Sequence, residues 1–255
     1  ADKPLAELPI RLVSSCARLS LTPDPIELCA GDTLRLSAEG LTAEGEPVAL
    51  PERALRWSVA GAGLALADGA LQASLPGAAG TVRVTLGAAT GEAPVRVAAD
   101  EAVESFEETF RPTFSAAPGR GSVTGHVSIH VGGAAQGRRY CRLTYDLAQP
   151  AGTRAAYVRL DRQLGSALRL SLQARATADR PPWLRVAVVD GNGTRQTYTL
   201  TDAVSWGRHW RRVQVRLPAG LKPPLTWQSV YVVAGDGQTG RGTLEMDDLR
   251  AERVE

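Results

Sequence analysis

Residues 210–217 read Trp210-Arg211-Arg212-Val213-Gln214-Val215-Arg216-Leu217. From Val213 to Leu217 every second side chain is apolar, and Arg212, Gln214 and Arg216 fall between them. A two-residue period is that of a half-buried β-strand, whose successive side chains point to opposite faces. The pattern recurs in Thr33-Leu34-Arg35-Leu36-Ser37 and in Thr81-Val82-Arg83-Val84-Thr85, and Gly, Pro, Asp or Asn separate the runs. Short alternating runs with turn residues between them predict antiparallel β-sandwiches. Long helical periodicity is missing; residues 101–110 are the best helix candidate, a short stretch stopped by Pro112. Asp190-Gly191-Asn192-Gly193 predicts a tight hairpin. That turn chemistry also accounts for Asn192-Gly193-Thr194, which has the form of a glycosylation acceptor.

The chain has 255 residues, 44% hydrophobic and 22% charged, which excludes a disordered polymer. The net charge of +2 gives no support for nucleic-acid binding, and only Lys3 and Lys222 are lysines among 29 basic residues. Arginine forks suit planar, bidentate contacts. No stretch approaches the ~20 apolar residues of a membrane helix. The start, Ala1-Asp2-Lys3-Pro4, reads as a mature end or an excised fragment. Composition changes near residues 98–104. Residues 1–100 carry 8 basic and 12 acidic side chains, a net −4, and residues 101–255 carry 21 and 15, a net +6. The expected organisation is an amino-terminal extension (1–18), a sandwich of about 100 residues' size class (19–99) and a larger jelly roll (103–255). The fold class is all-β, two β-sandwiches in tandem.

Residues 19–97 resemble bacterial immunoglobulin-like (Big-type) domains. The features are Leu19-Ser20-Leu21-Thr22-Pro23, Ala30-Gly31-Asp32-Thr33-Leu34, Arg56-Trp57-Ser58-Val59, Gly69-Ala70-Leu71, Pro76-Gly77 and Val95-Arg96-Val97. The resemblance implies a spacer or adhesive unit of a bacterial surface protein. Trp57, the one large aromatic there, is the expected core anchor. Residues 103–250 resemble the galactose-binding-like sandwich of many carbohydrate-binding modules. The features are Val103-Glu104-Ser105-Phe106-Glu107, Leu184-Arg185-Val186-Ala187-Val188-Val189-Asp190-Gly191, Ser205-Trp206-Gly207-Arg208-His209-Trp210 and Leu244-Glu245-Met246-Asp247-Asp248-Leu249. This order of units is similar to the C-terminal region of bacterial phosphodiester glycosidase-type envelope proteins. The resemblance implies a secreted or cell-surface location and a structural calcium held by Glu107 and Asp247, with Asp248 as the alternative ligand. Hard oxygen donors suit that ion.

Alternation places Trp183 and Arg185 on one face of their strand, Gln173 and Arg175 on another, and Trp210 and Arg212 on a third. If these strands are neighbours, they form a polar sheet with aromatic plates on which sugar rings stack, and a polyanionic glycan would suit the charge of this half. Trp206 and Trp210 also occur where the family has packing tryptophans. Three cysteines exclude a fully paired framework; Cys16 and Cys29 are close enough to bridge in an oxidising compartment, and Cys141 falls on an apolar face. His126 and His130 lie about 13 Å apart along a strand, too far to share an ion. No nucleophile elbow, phosphate-binding loop or paired-carboxylate spacing is present. The expectation is therefore a non-catalytic protein that binds envelope or extracellular polysaccharide. The alternative is a filament or surface-layer subunit, assembled by strand exchange through residues 5–13.

Overall fold

The structure is a computed structural model that describes residues 16–67, 69–108, 110–119, 123–147, 152–176, 182–201, 207–235 and 240–253. The segment 5–13 and Trp206 lie outside the described residues. Most of the described residues are in strands and none is in an α-helix, and the chain divides into two compact units between Val97 and Ala98.

The first unit contains β1 (Arg18–Thr22), β2 (Ile26–Leu28), β3 (Thr33–Arg35), β4 (Ser37–Leu41), β5 (Pro47–Val48), β6 (Arg56–Ala60), β7 (Leu64–Ala67), β8 (Ala70–Ala73), β9 (Ala79–Leu86) and β10 (Ala89–Val97). They pair as β1-β4-β5, β2-β10-β9-β6 and β3-β8-β7. β2 runs parallel to β10, and the other pairings are antiparallel. Alternation in β10 is complete: Ala89, Gly91, Ala93, Val95 and Val97 are buried and the residues between them exposed. Ile26, Leu28, Leu71, Val82, Val84 and Val95 form the core. Trp57, expected at its centre, is only half-buried against it. It lines an open cleft of about 850 Å³ together with Leu36, Val48 and Leu55.

The expected Cys16–Cys29 bridge is not formed: the structure records both residues as thiols. The Cys16 thiol donates to the Arg18 carbonyl at 3.1 Å, and Cys29 is buried just after β2.

The second unit contains β11 (Ala99–Glu104), β12 (Thr113–Ala117), β13 (Thr124–Val131), β14 (Arg139–Asp146), β15 (Arg154–Gly165), β16 (Arg169–Ala176), β17 (Trp183–Val189), β18 (Arg195–Thr201), β19 (Arg211–Arg216), β20 (Leu225–Ala234) and β21 (Arg241–Arg253). One sheet has the order β13-β14-β21-β16-β19, with β11 added to β21, and the other β12-β15-β20-β17-β18. Their apolar faces enclose a core that includes Cys141, Leu143, Leu172, Val186, Val230, Leu244 and the fully buried Trp227. Each such buried aliphatic side chain contributes about 1.5–3 kcal/mol.

The helix expected over residues 101–110 is absent, because residues 99–104 are β11, antiparallel to the end of β21. β14 occupies the same edge of β21 only as far as Met246. The remaining N–H and C=O groups of that edge need partners, and a ladder supplies them where a short, unsupported helix would not form. At the changeover, Asp248 takes φ 46° and the β16–β21 register slips between Ser171 and Gln173. This bulge interrupts alternation, so the consecutive Asp247 and Asp248 are both buried.

Candidate functional site

The polar face of the β13-β14-β21-β16-β19 sheet gathers arginines, carboxylates and aromatic rings. Cross-strand register lines up Ser128, Arg142, Glu245 and Arg175 on four successive strands. Arg142 binds Glu245 through Nη2 at 2.6 Å and Nε at 2.8 Å, and Arg175 binds the other carboxylate oxygen through Nε. Glu245 is 3% exposed, so both pairings operate partly out of water. Arg142 also donates to the Tyr140 hydroxyl at 2.7 Å.

Tyr140 is the hub of the aromatic group. His130 stacks on it at 5.5 Å, and Trp210 meets it edge-on at 5.8 Å. The Arg175 guanidinium lies 4.5 Å from the Trp210 ring centre and 5.5 Å from that of Tyr140. The indole N–H of Trp210 donates to the Gly133 carbonyl at 3.0 Å, which fixes the ring's direction. Burial, reinforced by the Arg142 charge, pushes the His130 imidazole below its ordinary value and favours the neutral form. His130 Nε2 lies 3.0 Å from Ser128 Oγ. Because this imidazole lies flat on Tyr140, the pair belongs to the polar face and not to a nucleophile aimed into a cleft.

Gln173 and Arg212 are cross-strand partners on this face, one step from the arginine–glutamate row. Arg212 Nη2 is 3.9 Å from Asp100 and 3.8 Å from Asp248, and Arg250 pairs with the same two carboxylates. Gln173, Arg175, Trp210 and Arg212 are thus together, because the β16–β19 register sets their polar positions side by side. Trp183 and Arg185 are not with them. They stand on β17, in the other sheet, where Arg185 lies 5.1 Å from the Trp183 ring and Trp183 is 41% exposed. Alternation fixes the face of a strand, whereas strand pairing fixes the sheet. Sequence reasoning passed over Tyr140, Arg142 and Glu245. Their alternation was visible, but only the register β14–β21–β16 makes them a cluster.

The residues expected to hold calcium surround the β13–β14 turn. Glu107 Oε1 accepts the main-chain N–H groups of Arg138 and Arg139, each at 2.7 Å. These bonds, first that from Arg139, hold its carboxyl below the usual range. Asp247 Oδ2 accepts the Gln136 N–H at 2.8 Å and Oδ1 that of Asp248 at 2.7 Å. Burial pushes the Asp247 carboxyl up against the pull of those bonds. Among the described residues no group of three His, Cys, Asp or Glu side chains is placed to hold a metal. Amide donors facing the carboxylates do not fit a cation site, which needs converging oxygens. Cys141 is fully buried, and burial raises its thiol well above the ordinary value, so it is a core side chain and not a nucleophile.

No protein-family model matches the chain, and no curated protein sequence matches it. Solved structures of carbohydrate-binding modules are similar. A module from a study of promiscuous specificity in the β-sandwich superfamily aligns with 94% of this chain and 100% of its own, at 14% identity and TM-score 0.45. The family 11 module of a cellulosomal cellulase of Clostridium thermocellum aligns over 62% of this chain and 96% of its own, at 14% identity and TM-score 0.38. The CBM22-1 xylan-binding domain of Paenibacillus barcinonensis Xyn10C aligns over 62% and 97%, at 18% identity and TM-score 0.37.

Proposed function

We propose that the second unit binds a glycan chain on the polar face of the β13-β14-β21-β16-β19 sheet and carries out no reaction there. The observation that supports this is the in-register Arg142–Glu245–Arg175 row beside Trp210 and Tyr140. Arg142 and Arg175, oriented by the buried Glu245 and still partly exposed, present fixed donors for hydroxyls, and the Trp210 indole presents a flat apolar surface. On this face Glu245 balances one of Arg142 and Arg175, and Asp100 and Asp248 balance Arg212 and Arg250, so the cluster itself carries little net charge and the reading is of a hydroxyl-rich chain and not of a polyanion. The first unit acts as a spacer of the Big type, and the protein works outside the cell or on its surface.

Affinity electrophoresis against a polysaccharide panel tests this. The panel includes xylan and mixed-linkage β-glucan; the Clostridium family 11 module has been solved with a β-1,3-1,4-mixed-linked tetrasaccharide. Trp210→Ala removes the plate, and loss of a central aromatic anchor costs about 2 kcal/mol or more, roughly thirtyfold in affinity. Retention should fall accordingly while the melting midpoint holds. Absence of retention by the intact protein across the panel would refute the proposal.

A further inference from the structure

We propose that Arg139 supplies, from within the chain, the positive charge that holds Glu107 to the β13–β14 turn, so that this junction needs no metal and itself positions Trp210. Two observations at one place carry this. First, the main-chain carbonyls of Glu107 and Glu108, oxygens of the kind a bound calcium would use, both accept from Arg139 Nη1 at 3.2 Å. The guanidinium therefore occupies the role of the cation. Second, the Glu107 carboxylate is taken up by the N–H groups of Arg138 and Arg139, and Asp247 by that of Gln136. With its nitrogen turned toward Asp248, the Gln136 side chain donates to both carboxylate oxygens at 3.0 and 3.2 Å. Donors, not acceptors, converge on all three acidic groups.

The turn is shaped for this grip. Its ends close through the Gly132 N–H on the Arg138 carbonyl at 2.7 Å. Gly137 has φ 68°, and a Cβ there would lie 2.5 Å from Glu107 Oε1, so only glycine admits the carboxylate this closely. The same turn presents the Gly133 carbonyl to the Trp210 indole at 3.0 Å. Glu107, Arg139 and Asp247 are accordingly positioning residues that act on the aromatic plate through the turn. The consequence for binding rests on the glycan reading, but the tests below use no sugar, so failure of the one is distinguishable from failure of the other.

The 255-residue chain is melted in excess EDTA and in excess calcium chloride, and calcium is titrated into it by calorimetry. The midpoints should coincide and the titration should give no saturable heat. Arg139→Ala should lower the midpoint by several degrees in both buffers, with partial recovery in Arg139→Lys. Subtracting the emission of Trp210→Phe isolates the Trp210 fluorescence, which should move to the red in Arg139→Ala and return toward wild type in Arg139→Lys. A wild-type midpoint that falls on chelation, or saturable calcium heat, overturns the proposal without any variant having to fold. An Arg139→Ala protein with unchanged midpoint and unchanged Trp210 emission overturns it as well.

Discussion

Glu245 sits between two guanidinium groups at 3% exposure and also lies 3.4 Å from the Tyr140 hydroxyl. Its removal would leave Arg142 and Arg175 facing each other across one strand without a counter-charge. Arg142 and Arg175 keep about a third and a quarter of their side chains exposed, so water partly takes over when the carboxylate is removed and the cost falls below the ~3–5 kcal/mol of a fully buried pair. Glu245→Ala should therefore lower the melting midpoint of the second unit by several degrees, and Glu245→Gln, which keeps an acceptor, by less. A midpoint unchanged in Glu245→Ala would show the pair to be as weak as an exposed one. At this scale the sequence disclosed residue types and facing directions. Trp210 and Arg212 were legible in Trp210-Arg211-Arg212-Val213, whereas nothing near Glu245 in Leu244-Glu245-Met246 names Arg142, 103 positions away.

Among elements, β21 organises the second unit. Its thirteen residues serve β14 and then β11 on one edge and β16 on the other. The bulge at Asp247 and Asp248 marks the changeover, and strict alternation, which sends consecutive carboxylates to opposite faces, had no means to anticipate it. In the first unit the critical element is β10. Gly91 packs so closely on β1 that a Cβ would lie 2.4 Å from the Leu19 carbonyl oxygen and 2.8 Å from Leu21 Cδ1. Because backbone is the obstacle, the strands themselves would have to move apart. Gly91→Ala should cost about 1–3 kcal/mol, the usual penalty of overpacking, read as the loss of denaturation midpoint against a surface control such as Ser58→Ala. Equal stability of the two variants would mean that β1 and β10 can separate freely.

On the scale of the whole molecule, each unit buries its own core: one around Ile26, Leu71 and Val82, the other around Leu172, Val230 and Trp227. Separate cores unfold as separate cooperative bodies. Calorimetric unfolding should resolve two transitions. Leu172→Ala, at a fully buried position, should move only the second by about 2–5 kcal/mol, and Gly91→Ala only the first. A single transition shifted by both substitutions would contradict that independence. The sequence by itself determined that this chain is built of strands and which side chains of its regular strands, such as β10, turn inward, because the two-residue period is a local consequence of backbone geometry. Only the tertiary structure decided the rest: that β17 joins the other sheet and takes Trp183 and Arg185 with it, that residues 99–104 complete β21 and do not coil, that Cys16 and Cys29 remain thiols, and that Arg142, Glu245 and Arg175 meet. Which strand lies beside which is settled by long-range pairing and by a shared core, and a period of two residues carries no information about either.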